Sequence, residues 1–375
     1  MTARTATRKE RELLFDTLVV ATGAEPVRPP LPGIDHEGVY QLHTMGDGLL
    51  LHEALSRRPG SAVIVGAGYI GLEMAEALHA RGLAVTVVEQ LPSVLPTVDA
   101  ELGALVRGEL ERHGIRVVDS VAVTAVEGTN GGLTVRGEPG LELGTDIVLV
   151  VVGVRPNTAL GRAAGIETGV RGALRVGRRM ETNAPHVYAA GDCAVTYHRL
   201  LRTDTYLPLG TTAHKQGRVA GENAVGGDRA FEGSLGTQVV KVFELAVART
   251  GLRDHEARAA GLRPLTVESS GHDHKTYYPG ARGLTMRLTG DVDTGRLLGA
   301  QLLGHVDSQV PRRVDIAAAA LHQGMTVDSL SDLDLSYTPP FGSPWDVVQS
   351  GAQAWLRARD AGSHGRSRRP AAPTH

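Results

Sequence analysis

The chain has 375 residues, room for two or three domains of about 150 residues each. Hydrophobic residues make up 42% and charged residues 21%, a balance that can bury a core and excludes disorder throughout. The net charge of −2 removes the electrostatic case for nucleic acid, and a single cysteine, Cys193, excludes an intrachain disulfide and a C-x-x-C redox pair. The longest clean apolar run in a strand-like segment, 147–152, is far below the ~18 residues that span a bilayer. The N-terminus lacks the apolar stretch of a secretory signal, so a soluble cytoplasmic protein is expected. No metal site is read from the sequence.

Residues 13–22 read as the first strand. It stops at Gly23 and the run E-P-V-R-P-P-L-P-G, where missing backbone donors forbid a helix. A helix is expected over 46–58. A β-branched strand at 61–65, a glycine turn, a helix to about 80 and a strand at 83–88 make a βαβ unit with parallel strands. A helix over 99–113 places Leu102, Leu105, Val106 and Leu110 near one face. Short strands at 116–118, 121–126 and 133–136 suggest a meander, and a buried strand at 147–152 leads into G-V-R-P-N. Residues 187–190 form a strand entering G-D-C-A, and a helix begins near Gly210. Beyond Gly233, strands at 238–244, 264–270, 284–288 and 297–303 read as antiparallel. Helices follow at 311–322, after an N-cap at Thr326, and at 346–357, and the Gly/Ser/Arg/Pro-rich tail from Gly362 is expected to be disordered.

Two segments resemble each other. Residues 18–26 read L-V-V-A-T-G-A-E-P and residues 149–156 read L-V-V-V-G-V-R-P. Each is a buried strand, a glycine, two residues and a proline, a repeat that suggests two copies of one domain. A fingerprint begins at Gly66, 87 residues before Gly153. Its equivalent before Gly23 would fall ahead of Met1, so the chain is expected to begin inside a domain whose first βαβ unit is absent.

That fingerprint is V-I-V-G-A-G-Y-I-G-L-E at 63–73. Gly66 permits a tight turn, Gly68 lets backbone approach a pyrophosphate, and Gly71 lets helix pack on strand, while the helix N-terminus offers free N–H groups. Glu89 ends the next strand, 21 residues after Gly68, at the distance where a carboxylate binds a ribose hydroxyl. No Arg immediately follows it, which favours NADH over NADPH. Gly191–Asp192 follows a strand end, where the carboxylate either meets a ligand or caps a helix.

The ordered set of motifs resembles the pyridine nucleotide–disulfide oxidoreductase family of flavoproteins, in its CoA-disulfide reductase and NADH oxidase branch. The strings are A-T-G-A-E-P-V-R-P-P-L-P-G, V-G-A-G-Y-I-G-L-E-M-A-E, G-V-R-P-N, V-Y-A-A-G-D-C-A, G-T-T-A-H-K-Q-G-R-V-A-G-E-N, V-V-K-V-F-E-L-A-V-A-R-T-G-L and L-D-L-S-Y-T-P-P-F. The resemblance implies an α/β architecture: a partial FAD-binding Rossmann-like domain, an inserted NAD(P)H-binding Rossmann domain and a C-terminal α/β dimerisation domain. The expected bounds are 1–50 for the truncated FAD domain, 51–165 for NAD(P)H, 166–230 for FAD resumed, 231–350 for dimerisation and 351–375 for a disordered basic tail.

The same resemblance assigns residues. Thr22, Gly23 and Asp192 would lie along FAD, and Thr211, Thr212 and Ala213 near its ring at a helix N-terminus. Gly66, Gly68, Gly71, Glu89 and Gly153 would hold NAD(P)H. Tyr69 would cover the flavin until nicotinamide enters, and Glu73 would stand beside both. Tyr337 and either Tyr277 or Tyr278 would reach a partner subunit's site, where a phenol can protonate or position a leaving thiolate. The implied reaction runs from NAD(P)H to FAD and on to a CoA disulfide or similar small disulfide, in a cytoplasmic homodimer. The alternatives are an NADH oxidase reducing oxygen, and a truncated non-catalytic nucleotide-binding fragment that holds FAD weakly. The family's redox cysteine lies in the part expected to be missing, and Cys193 is read as a small buried residue.

Overall fold

The computed structural model describes residues 2–4, 10–129 and 131–367. The chain divides into two compact units, 1–25 with 154–234 and 26–153 with 235–375.

The core of the larger unit is a parallel sheet in the order Val39–Tyr40, Ile147–Val150, Ser61–Val65, Ala84–Val88 and Arg116–Val118. Its central strands are continuous apolar runs because both faces are covered. On one face Leu72, Ala75 and Leu78 of helix Tyr69–His79 pack with Leu102, Val106 and Leu110 of helix Ala100–Arg112. On the other face Val63, Val65 and Val148 meet Val126, Leu133 and Val135 of an antiparallel meander, Ala122–Thr129, Gly132–Glu138 and Leu141–Thr145. Val39–Tyr40 joins this sheet, and Leu51 of helix Met45–Ser56 enters its core. Residues 26–50 therefore group with the nucleotide domain and not, as expected, with residues 1–25. Residues 154–165 group with the smaller unit because Gly23 and Thr22 accept from and donate to Asn157 across the repeated turns.

The second half of the larger unit is an antiparallel sheet, in the order Gln238–Val242, Leu245–Gly251, Leu297–His305, Gly283–Asp291 and Pro264–His272. Strand Leu245–Gly251 was not foreseen. Phe243, at φ +50°, turns the chain back on itself where the sequence suggests one strand through 244. The final helix runs Val347–Ser367, longer than expected. Val348, Ala352 and Trp355 are fully buried along one face, and the Trp355 indole donates to Leu265 O at 2.7 Å. These anchors lie in the helix expected over 346–357; the helix continues to Ser367, into the tail expected to be disordered, and 368–375 lies outside the described residues.

In the smaller unit, Leu18–Val20 pairs in parallel with Val187–Ala189 and packs with helix Gly210–Ala224. The first strand is shorter than 13–22 because Leu13, Leu14 and Phe15 are exposed and have no core to enter. Among the described residues no helix is long and apolar enough to cross a membrane.

Candidate functional site

In the larger unit, the glycine loop joins Ser61–Val65 to helix Tyr69–His79. Gly66 sits at φ +109° and donates to Val88 O at 2.8 Å. A side chain on Gly66 would stand 2.6 Å from Val151 O, and one on Gly71 would stand 2.0 Å from Gly66 O. Both positions are closed to any larger residue. Gly68 differs: a Cβ there would meet nothing within 4 Å, and it caps the helix with no side-chain acceptor. Free donors and open space coincide at Gly68, which fits a dinucleotide pyrophosphate.

Glu89 is brought to this loop, at 7% exposure. Its Oε2 accepts from Ala67 N–H at 2.8 Å and its Oε1 from Leu91 N–H at 2.9 Å. The carboxylate ties the loop to the next strand, leaving about two of its four acceptor positions for a ribose. Gly153, at φ +105°, accepts from Val27 N–H at 2.8 Å and leaves open space in front of it.

Tyr69 opens the glycine-loop helix. Its hydroxyl donates to Gln238 Oε1 and accepts from Thr97 Oγ1 at 3.2 Å, and burial pushes the phenol above its usual range. The segment around Thr97 is held by two arginines. Arg249 donates to Thr97 O at 2.8 Å, and Arg253 donates to Pro96 O and Val98 O, each at 2.9 Å. Glu256 joins the arginines, meeting Arg249 Nη2 at 2.8 Å and Arg253 N–H at 2.8 Å. Burial raises the Glu256 carboxyl, but the charge and hydrogen bond of Arg249, then Arg253, outweigh it and hold the group at about 2. The sequence reading named none of Gln238, Thr97, Arg249, Arg253 or Glu256. The only trace is the charge-dense string R-T-G-L-R-D-H-E, whose partners lie about 150 residues upstream. Glu73 is exposed. One turn on, Glu76 takes the structural contacts, with Lys241 and with Phe243 N–H at 2.8 Å.

In the smaller unit, the Thr22 hydroxyl donates to Asn157 O, while Gly23, at φ +68°, has open space where a side chain would stand. Gly191, at φ +81°, donates to Gln216 Oε1 at 3.0 Å, and fully buried Gln216 donates in turn to Val195 O at 3.0 Å. Asp192 sits in a turn and caps no helix, which removes the capping alternative. Tyr206 donates to Asp192 O at 3.0 Å, and burial, then the Asp192 charge, pushes its phenol up to about 12. The turn is thus fixed from both sides, and the open cradle at Gly23 and the fixed Asp192 fit a flavin dinucleotide. Thr211 is exposed, whereas Thr212 is buried with its hydroxyl 3.2 Å from Ser234 Oγ. The Ala213 methyl lies 3.6 Å from where a Gly191 side chain would stand. Cys193 is buried, with Sγ 3.5 Å from Val20 O and 3.3 Å from Ala190 O.

The three tyrosines lie on neighbouring loops of the antiparallel domain, where Lys275 N–H donates to Pro339 O at 3.3 Å. Tyr277 neighbours Tyr337; slight desolvation and then the Tyr337 phenol raise the Tyr277 phenol. Tyr278 sets its ring edge-on to His274. All three are exposed, together with Phe341 and Trp345.

A parallel sheet carrying a G-x-G-x-x-G loop, followed by an antiparallel domain with an exposed aromatic face, defines a dinucleotide-binding fold with an appended antiparallel domain. The chain belongs to the pyridine nucleotide-disulphide oxidoreductase family: residues 1–217 match that family and residues 237–347 its dimerisation domain. It is 34% identical over 343 residues to an NAD(P)H sulfur oxidoreductase (CoA-dependent) of Pyrococcus furiosus, covering 91% of this chain and 76% of that protein. It is 34% identical over 350 residues to an NADH oxidase of Methanocaldococcus jannaschii, covering 93% and 77%. The structure of an NAD-dependent persulfide reductase from A. fulgidus superposes with a TM-score of 0.91 at 37% identity, covering 94% of this chain. This chain spans 65% of that protein's length, just under two thirds.

Proposed function

We propose that the chain is an FAD-dependent NAD(P)H oxidoreductase that reduces CoA disulfide or a related low-molecular-weight disulfide, acting as a cytoplasmic homodimer. The observation that carries this reading is the pair of open glycine cradles. One, at Gly68, has uncapped helix donors, and the other, at Gly23, accompanies the turn that fixes Asp192. Bound FAD would supply a two-electron carrier between NAD(P)H and the acceptor. Gly66, Gly68 and Gly71 bind the pyrophosphate of NAD(P)H, with Glu89 holding the loop and accepting from the ribose. Gln90 follows Glu89, so no cation is supplied there for a 2′-phosphate, and NADH is the preferred donor. Thr22, Gly23 and Asp192 hold FAD, with Thr211 and Ala213 at the helix N-terminus beside it. Tyr69 and Glu73 occupy the nicotinamide approach. Tyr337, beside Tyr277, delivers a proton to a departing thiolate of the partner's reaction. Cys193 is not the exchanging thiol, because it is buried and turned to two carbonyls.

The balance is one NADH, one proton and one CoA disulfide giving NAD⁺ and two CoA thiols. The test uses the purified 375-residue chain supplied with FAD. Expected is bleaching of the flavin by NADH under argon; in a polypeptide that also carries an exchanging thiol other than buried Cys193, two thiols should form per NADH when CoA disulfide is added. Tyr337→Phe should slow thiol formation about 100-fold and leave flavin bleaching unchanged. Failure to retain or bleach flavin would favour a non-catalytic nucleotide-binding chain. The likeness to the Methanocaldococcus NADH oxidase supports a second reading, oxygen reduction. NADH-dependent oxygen uptake without thiol formation would select it.

A further inference from the structure

One cluster is untouched by the oxidoreductase reading. Glu109 and His113 lie one turn apart at the end of helix Ala100–Arg112, and Glu244 lies at the tip of the hairpin joining Gln238–Val242 to Leu245–Gly251. One ligand atom from each of the three falls within 4.8 Å of the others.

The His113 ring is fixed before any ligand arrives. It stacks on Phe243 at 3.9 Å with an 8° angle between planes. Phe243 is itself held, its N–H donating to Glu76 Oε2 at 2.8 Å. On one side, His113 Nδ1 lies 3.1 Å from Glu109 backbone O. On the other, Nε2 lies 3.0 Å from Glu244 Oε2. Both neighbours are acceptors, and a neutral imidazole has one N–H to give. An acceptor thus faces each ring nitrogen, and Nε2 and the Glu244 carboxylate frame a position that a cation can occupy. A backbone carbonyl fixing one ring nitrogen while the other meets a cation is the usual arrangement of a metal-bound histidine.

The buried side of the cluster points the same way. The Glu109 side chain has no exposure at all. Its Oε1 accepts from Glu244 N–H at 3.1 Å, and its Oε2 is paired with the Arg112 guanidinium. Two carboxylates against one guanidinium stand around the ring at a helix C-terminus, where cations are favoured.

We propose that Glu109, His113 and Glu244 bind a divalent transition-metal ion of the zinc class. One nitrogen and two oxygen donors suit such an ion, and the exposed Glu244 side leaves a coordination position for water. The ion replaces the proton between Nε2 and Glu244, and so pins the hairpin of the antiparallel domain to a helix of the nucleotide domain.

The test is zinc titration of the chelator-treated full chain, by calorimetry and by thermal melting. Expected are one site of micromolar affinity and a Tm rise of about 4 °C at hundredfold excess over Kd, with no response to Mg²⁺. Glu244→Ala changes an exposed side chain, so its fold should survive; it should lose the site, as should His113→Asn. Equal zinc effects in the wild type and in Glu244→Ala would show adventitious binding and overturn the proposal. Melting that follows pH through the imidazole range but ignores zinc would also overturn it, since a proton alone then fills the gap.

Discussion

Gly71→Ala is expected to raise the Kd for NADH about tenfold or more and to lower the Tm as well. The added methyl would stand 2.0 Å from Gly66 O, and that neighbour is backbone, unable to rotate aside. Either the first turn of helix Tyr69–His79 lifts away from the strand or Gly66 leaves φ +109°. Overpacking of this kind costs about 1–3 kcal/mol. The displaced atoms are those whose N–H groups would meet the pyrophosphate in the proposed site, so stability and binding should fall together. Gly68→Ala provides the contrast. Its φ of −80° suits alanine and its methyl touches nothing within 4 Å, so the Tm should hold while the methyl occupies the space left for phosphate. NADH titration of the two variants beside wild type, with melting curves, separates the effects. If both bind NADH as wild type does, the glycine loop is not the nucleotide site.

The loop was legible in the sequence because its chemistry is local. Strand, three glycines, helix and acidic residue all fall within 61–89, and the glycines have a steric reason to be what they are. The parallel sheet was legible for a related reason: a strand buried on both faces needs an unbroken apolar run, as at Val63–Val65. The hairpin at Phe243 was not. A positive φ on a phenylalanine leaves no mark in composition, and the run V-V-K-V-F-E-L-A-V reads as one strand. The helix holding Val348, Ala352 and Trp355 was legible from its apolar spacing, but its continuation to Ser367 was not, because that stretch is rich in Gly, Ser and Arg. The site residues supplied by distant segments were invisible. Gln238 is 169 residues from Tyr69, and no periodicity connects them. Nor does T-T-A show that the Thr212 hydroxyl meets Ser234, 22 residues on.

Glu256→Gln is expected to destabilise the protein by roughly 3 kcal/mol at neutral pH. In the folded chain the carboxyl is held at about 2, against an ordinary value of 4.5. A depressed carboxylate contributes its full stabilisation above the unfolded value and loses it as pH falls through the folded one. Wild type should therefore weaken progressively between about pH 4.5 and pH 2, and the variant should lack that part of its acid limb. The glutamine keeps the shape but removes the charge facing Arg249, whose side chain is 10% exposed and whose Nε already lacks a hydrogen-bond partner. Removing one member of a buried pair costs about 3–5 kcal/mol because the other charge stays behind. The consequence reaches the nucleotide side. Arg249 and Arg253 hold the carbonyls of Pro96, Thr97 and Val98, and Thr97 donates to the Tyr69 hydroxyl. Loss of Glu256 should free that segment, and amide hydrogen exchange over 94–99 should rise with the fall in Tm. Melting at neutral pH within about 1 °C of wild type would mean that the arginines hold the segment without Glu256.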